Sequence, residues 1–301
     1  MSGGAGFVGS HLCERLLSEG YSVVCLDDLS TGSVSNVGSL LGEPGFELVQ
    51  ADVTGPLEVP GAVDEVYHLA SPASPADFES RAIQILRAGS EGTRHALELA
   101  RENGARFLLA STSEVYGDPL VHPQHEEYLG NVDPVGIRGV YDESKRYAEA
   151  LTAAYYRRYG LETRIARIFN TYGPRMRPDD GRMVPNFFGQ VLAGEPLTVY
   201  GDGGQTRSIQ YVDDLVEGLV RLMRSDEPRP VNLGNPEEHT VKEIAQMILE
   251  LCGGGTLVYR PLPEGDPLKR CPDIGRARGS LGWGPRVSTR EGLERTLRSL
   301  V

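Results

Sequence analysis

Cysteine is scarce and unpatterned in this sequence. Cys13, Cys25, Cys252 and Cys271 are scattered with no CxxC spacing, which points to buried reduced thiols and argues against a disulfide framework or a zinc site. His122 and His125 fall in a proline-containing loop, where solvated side chains are expected rather than chelation; no metal is assigned. Positive charge is also short. Thirty Lys and Arg stand against 42 Asp and Glu, a formal net charge of −12. That excludes general nucleic-acid or anionic-membrane binding, while single arginines can still hold a phosphorylated ligand. No apolar run approaches the roughly 20 residues of a membrane span, and no signal-peptide pattern opens the chain. No membrane partner and a cytoplasmic location are the default expectations. There is no internal repeat and no low-complexity segment, and 301 residues of ordinary soluble composition can bury one large core, or one core with a smaller lobe.

One further thing is missing. Gly3-Gly-Ala-Gly6-Phe-Val-Gly9 reads GxxGxxG, yet only Met1 and Ser2 precede it, where a dinucleotide motif normally follows a buried apolar strand. The first strand is apparently absent from the chain. In a doubly wound sheet that strand is central, so its loss would expose both neighbours and remove the platform of the phosphate loop. A misassigned or trimmed start is the expectation, with a damaged, inactive variant as the alternative. The motif itself predicts a helix to about Glu19, with Val8, Leu12 and Leu16 on one face and Gly20 as its stop. Gly3, Gly6 and Gly9 let a backbone turn approach a pyrophosphate at the helix N-terminus, and Phe7 and Val8 are placed beside the same cofactor. A strand over residues 21–27 ends at Asp27, 18 residues beyond Gly9. There its carboxylate would bond an adenosine ribose and repel a 2′-phosphate, favouring NAD over NADP. A simple strand-end turn residue is the other reading of Asp27.

Further strands are predicted at 46–51, 63–70 and 105–111, with a helix over 82–102 and another from Tyr141 to Tyr159, stopped by Gly160 and followed by a strand over 162–169. Strands alternating with helices predict an α/β fold: a doubly wound, mostly parallel Rossmann sheet with a smaller C-terminal substrate-binding lobe. We place the cofactor domain at 1–170 and mainly the substrate lobe at 171–301, with some segments returning to the sheet. Asp52 and Val53, after the third strand, would lie against adenine, and Ala70 near the cofactor at the carboxyl edge; loop geometry alone is the competing explanation. Residues 171–208 are rich in Gly, Pro and Arg, with a helix predicted near 184–193. Thr240-Val-Lys-Glu243 and Ser288-Thr-Arg-Glu291 read as capping boxes.

Chemistry is carried by Thr112-Ser113-Glu114 and by Tyr141-Asp-Glu-Ser-Lys145. A tyrosine four residues before a lysine lies one helical turn away on the same face, so the ammonium would depress the phenol pKa and make Tyr141 a general base. Thr112, at the end of a strand, would present its hydroxyl to a substrate alcohol or the ketone it becomes. YxxxK alone is weak, since both residues are common on solvated helix faces. The glycine motif and the strand ending at Thr112 supply the context for oxidation of a secondary alcohol.

With these motifs, and with Arg167-Ile-Phe-Asn-Thr-Tyr-Gly-Pro-Arg175, His68-Leu-Ala-Ser-Pro-Ala-Ser-Pro75, Leu197-Thr-Val-Tyr-Gly-Asp-Gly203, Val231-Asn-Leu-Gly-Asn-Pro-Glu-Glu-His-Thr240 and Lys269-Arg-Cys-Pro-Asp273, the chain resembles the extended short-chain dehydrogenases acting on nucleotide sugars. Within them it is similar to the UDP-glucuronate decarboxylases, or UDP-xylose synthases, over almost its whole length. The resemblance implies NAD as cofactor and UDP-glucuronate as substrate, with oxidation at C4 assisted by Tyr141, loss of C6 as carbon dioxide, and re-reduction to UDP-xylose. It also implies that Ser113 and Glu114 position the sugar acid and that Arg270 contacts its carboxylate and donates a proton. A structural ion pair for Glu114, and a surface or phosphate-binding role for Arg270, are the blander readings. Asn170, Arg175 and Arg207 would hold the UDP diphosphate and nearby groups, with Val184, Tyr200 and Gln205 as further nucleotide contacts. Two departures stand out: Phe78 replaces a sugar-contacting tyrosine, and Gly89 the asparagine of an NxxGT segment. A 4,6-dehydratase, which typically carries Asp-Glu where Ser113-Glu114 stands, a 4-epimerase, and a non-catalytic nucleotide-sugar-binding relic are the rivals. Family members commonly form homodimers through a four-helix bundle, to which residues 90–102 and 141–159 would contribute.

Overall fold

The computed structural model describes residues 1–261 and 270–301; Lys269, first residue of the Lys269–Asp273 motif, lies outside them. The first half runs α1 (Phe7–Ser18), β1 (Val23–Asp27), β2 (Phe46–Gln50), β3 (Glu65–His68), α2 (Ala82–Arg87), α3 (Thr93–Asn103), β4 (Arg106–Thr112), α4 (Gly139–Tyr159) and β5 (Thr163–Ile168). The second half continues β6 (Thr171–Tyr172), α5 (Met183–Leu192), β7 (Leu197–Tyr200), β8 (Thr206–Ser208), β9 (Gln210–Tyr211), α6 (Val212–Arg224), β10 (Val231–Leu233), β11 (Glu238–Thr240), α7 (Val241–Leu251), β12 (Leu257–Arg260), α8 (Gly275–Leu281) and α9 (Thr289–Arg298). No described helix is long and apolar enough to cross a membrane.

The sheet is parallel and covered on both faces. β4 is buried along nearly its whole length, as a central strand between two helix layers requires. Its side chains alternate between those layers: Leu108 joins a core with Leu12 of α1 and Leu215 and Leu219 of α6, whereas Phe107 and Leu109 pack with Ala96 and Leu97 of α3 and Ala148 of α4. Pairing runs β1–β2 on one side and β3–β4–β5–β10 on the other, and Ser2 bridges Leu26 and His68 in parallel, joining them. This is a doubly wound Rossmann order. Met1 and Ser2, just before the glycine loop, pair with both neighbouring strands. Ser2 N donates to Tyr67 O at 2.9 Å, Leu26 N to Met1 O at 2.7 Å and Leu69 N to Ser2 O at 3.0 Å, so the glycine loop leaves paired backbone, and the neighbours Leu26 and Tyr67 are buried. The Ser2 hydroxyl is 2.7 Å from Nδ1 of His68, a ring whose burial lowers its pKa to about 3 and keeps it neutral.

Two local features differ from the sequence reading. The helix predicted over 82–102 is broken between α2 and α3 by a π turn at Ala88–Gly92. In that turn a Cβ on Gly89 would come 2.7 Å from Cβ and 2.8 Å from the carbonyl oxygen of Ser144 on α4, so the two helices meet where only glycine fits. At α7 the capping box forms in full, but at α9 only half of it does. Ser288 Oγ accepts from Glu291 N, while the Glu291 carboxylate turns to Arg295 at 2.6 Å. Beyond residue 170 one segment does return to the main sheet: β10 pairs with β5, Val231 opposite Ala166.

Candidate active site

At the carboxyl edge of the sheet lies a cleft of about 1450 Å³, and every binding or catalytic residue singled out in the sequence borders it. Its cofactor side is shaped by backbone. Gly3 has φ +73°, and a Cβ there would lie 2.7 Å from Ala70 N; a Cβ on Gly9 would lie 2.0 Å from Gly3 O. At the start of α1, Gly6 is the N-cap and no side chain caps it, which leaves first-turn N–H groups for an anion. Asp27 closes β1 with Oδ2 accepting from Ala5 N and Oδ1 from Leu29 N, both at 2.9 Å. Burial pushes its carboxyl up against those bonds, and each oxygen keeps a lone pair for a ribose hydroxyl. Asp52 caps its own turn through Thr54 N at 2.8 Å, and Val53 packs on Gly92, where a Cβ would be 2.8 Å from Val53 Cγ2. A glycine cradle, an uncapped helix start and a ribose carboxylate fit a dinucleotide.

On the reacting side, β4 ends at Thr112, whose Oγ1 caps the short turn that follows by accepting from Glu114 N at 3.2 Å. The same hydroxyl draws the Tyr141 phenol pKa down. One expectation is reversed here. Lys145 Nζ turns to the carbonyl of Ala110 at 2.8 Å and sits 5.7 Å from the Tyr141 ring centre. Burial, the largest influence on the phenol, pushes its pKa up; Arg182, the Thr112 hydroxyl and Arg138 pull the other way without overcoming it. Lys145 itself is brought down to about 8 by the same burial. The stacked ring of Phe78, 5.1 Å away at 18°, supplies part of that dry environment.

Glu114 stands between two guanidiniums: Oε2 accepts from Arg138 Nη2, and Oε1 pairs with Arg270 Nη1. Arg270 is buried, donates through Nη2 to Gly117 O at 2.8 Å and leaves Nε without a partner. Burial lowers its pKa only to about 10, so it remains a cation. The blander reading of Glu114, an ion pair at the sheet edge, is therefore realised, with both partners lining the cleft. Sequence reasoning missed Arg138, although its place one turn before Tyr141 on the same helix was a usable signal. It also missed Asp142, whose Oδ1 is buried without a partner and whose carboxyl burial raises to about 6.

Farther out, Arg175 holds φ +67°, pairs with Glu14 at 2.6 Å and leaves Nη1 buried and unpartnered. Arg207 donates to Thr206 O at 2.9 Å. Gln205 donates to Tyr200 O at 2.8 Å, and the Asn170 carbonyl is taken by Gln210 N at 2.9 Å. Val184 is buried at the start of α5.

A sequence model described as the NAD dependent epimerase/dehydratase family matches residues 1–234. The chain belongs to that family. Its cofactor is NAD, the dinucleotide that the glycine cradle and Asp27 fit. Among curated members, UDP-glucuronic acid decarboxylase 2 of Arabidopsis thaliana is 53% identical over 97% of this chain and 66% of its own length. UDP-glucuronic acid decarboxylase 1 of Xenopus tropicalis is 52% identical over 99% of this chain and 70% of its own. Among solved members, the UDP-glucuronic acid 4-epimerase of Bacillus cereus, in complex with UDP-glucuronic acid and NAD, superposes with a TM-score of 0.88 at 28% identity, covering 99% of this chain and 97% of that one.

Proposed function

We infer that this member of the family decarboxylates UDP-glucuronate to UDP-xylose. The observation that carries the reading is the Arg270–Glu114–Arg138 cluster, anchored on buried Arg270, beside Thr112 and Tyr141, since oxidation at C4 alone has no use for it. Bound NAD supplies the acceptor and later the donor of the electron pair at C4. Tyr141, which must ionise against the burial that raises its phenol, takes the proton of the C4 hydroxyl, and Thr112 orients that oxygen. Once C4 is a ketone, the C6 carboxylate is β to a carbonyl and leaves as carbon dioxide. Tyr141 and Thr112 then stabilise the enolate oxygen, Arg270 supplies a proton at C5 and regains one from solvent, and Tyr141 returns its proton to the C4 oxygen as the electron pair comes back. Arg270, whose Nε is free for an acceptor, meets the sugar carboxylate, and Glu114 fixes that guanidinium. Arg175 has an unpartnered Nη1 for a diphosphate oxygen, to which guanidinium donors are suited; Arg207 completes that end.

The likeness to a 4-epimerase acting on the same sugar acid supports a second reading, inversion at C4 with the carboxylate retained. Purified protein given UDP-glucuronate and NAD separates the two by product mass. Loss of one carbon dioxide supports decarboxylation, an isomer of unchanged mass identifies an epimerase, and no turnover with no retained NAD identifies a binding relic.

We also propose a homodimer. Ile83 and Leu86 of α2 and Tyr147 of α4 are large apolar side chains left exposed, and burying them between two copies would form the helix bundle. Ile83→Asp with Tyr147→Asp should convert a dimer to a monomer by light scattering; a wild-type monomer at micromolar concentration would sink the proposal.

A further inference from the structure

Behind the segment that carries Arg270, three distant parts of the chain converge. His122 comes from the loop before α4, Glu238 opens β11, and Cys271 follows Arg270. One ring nitrogen, one carboxylate oxygen and the sulfur of these residues lie within 4.8 Å of one another. His122 Nε2 is 3.0 Å from Glu238 Oε2, the other Glu238 oxygen accepts from the Thr206 hydroxyl at 2.7 Å, and the thiol donates weakly to Pro236 O at 3.4 Å. Backbone bonds and one side-chain bond fix the approach of two of these segments: Gln124 N donates to Cys271 O at 2.9 Å, Asp273 N to Gln124 O at 2.8 Å, and Cys271 N to the Gln124 side-chain Oε1 at 3.0 Å. Burial first, and then the negative charges of Glu238 and Asp273, hold the thiol protonated; a cation would offset that charge.

We propose that His122, Glu238 and Cys271 form a three-ligand Zn²⁺ site. Nitrogen, oxygen and sulfur are the donors zinc takes, at about 2.0–2.3 Å, which sets donors around one ion about 3–4 Å apart; the His122–Glu238 pair at 3.0 Å already meets that spacing, and the sulfur, within 4.8 Å of both, has a short distance to close on binding. The fourth position falls to solvent, because the His122 side chain is 35% exposed. Binding forms the S–Zn bond as the thiol proton leaves to solvent. The ion would tie the loop, β11 and the residue next to Arg270 together, a structural role rather than a step in turnover. Spacing rules could not reveal it, since no two ligands come from one segment.

The test is a Co²⁺ titration of the reduced, full protein, followed by Zn²⁺ displacement. One equivalent should produce a near-ultraviolet thiolate-to-cobalt band, erased by one equivalent of Zn²⁺ and absent in Cys271→Ser. His122→Ala, on an exposed loop and benign to folding, should weaken Co²⁺ by about tenfold or more. It decides the matter if Cys271→Ser does not fold. A missing thiolate band at one equivalent, a band that survives Cys271→Ser, or unchanged affinity in His122→Ala each overturns the site.

Discussion

The two ends of the cleft are built from different material. The cofactor end is backbone: Gly3 and Gly9 pass within contact distance of Ala70 and of each other, and Asp27 is locked by two backbone N–H groups. The sugar end is side chains, with Glu114 between Arg138 and Arg270 and Arg175, Arg177 and Arg182 carried on the loop before α5. A backbone cradle specifies shape and tolerates no added atom. A side-chain cluster specifies charge, and changing a member alters chemistry while leaving the frame standing. Substitutions at the two ends should therefore separate cofactor retention from turnover.

The sharpest form of that contrast is Tyr141→Phe against Gly9→Ala. Removing the phenol hydroxyl takes away the general base and should lower UDP-xylose formation by about 10³-fold, while NAD per chain, measured by mass, stays at the wild-type level. In Gly9→Ala the new Cβ would sit 2.0 Å from Gly3 O and 2.8 Å from Gly4 Cα, backbone atoms that cannot swing aside. NAD affinity should fall by about 100-fold. If Gly9→Ala retains full cofactor, the loop is not the rigid cradle described.

Glu114→Gln tests whether the sugar end is chemistry or only structure. It leaves buried Arg270 beside a neutral partner, so stability should drop by about 3 kcal/mol and turnover by about tenfold to a hundredfold, with NAD content unchanged. A variant with the lower melting temperature but wild-type turnover would reduce Glu114 to an ion pair.

Lys145 supplies a pH test between the two ends. Its pKa is about 8 in the fold against 10.5 in an exposed lysine, so between those values the unfolded chain binds more protons, and stability rises with pH. The raised Tyr141 acts oppositely, but only as pH passes its ordinary value of 10. Lys145→Met, which has no such group to desolvate, should be more stable than wild type at pH 8, and the gap should narrow toward pH 10. Thermal unfolding across that range checks it; a gap that widens with pH contradicts the buried, desolvated lysine.

The same contrast explains what could be read in the sequence. The glycine motif, the strands and the Tyr141–Lys145 pair are local patterns, each fixed by spacing within a few turns, and they fall where those patterns place them. β3 is shorter than the stretch 63–70 suggested, since apolar run length does not mark where pairing ends. Arg138 and Asp142 were overlooked because their importance comes from what faces them, Glu114 in one case and a dry pocket in the other. Their own neighbours in sequence say nothing of either. From spacing alone the Lys145 ammonium should lower the phenol pKa, because spacing shows that the two share a face but not how deeply both are buried.

The smallest expected effect comes from Gly89, where the sequence suggested a lost hydrogen-bonding group and the structure shows a contact. The π turn brings this residue against α4, and a Cβ would meet Ser144 Cβ at 2.7 Å, its carbonyl oxygen at 2.8 Å and its carbonyl carbon at 3.1 Å. Those atoms belong to the helix that carries Tyr141 and Lys145, so relief requires the two helices to part. Overpacking of this kind costs about 1 kcal/mol or somewhat more. Gly89→Asn should accordingly lower the melting temperature by a few degrees and leave turnover level or slightly reduced through displacement of α4. A variant with faster turnover at undiminished stability would mean that asparagine finds a bond worth more than the contact, and that the separation of these helices is not set by glycine.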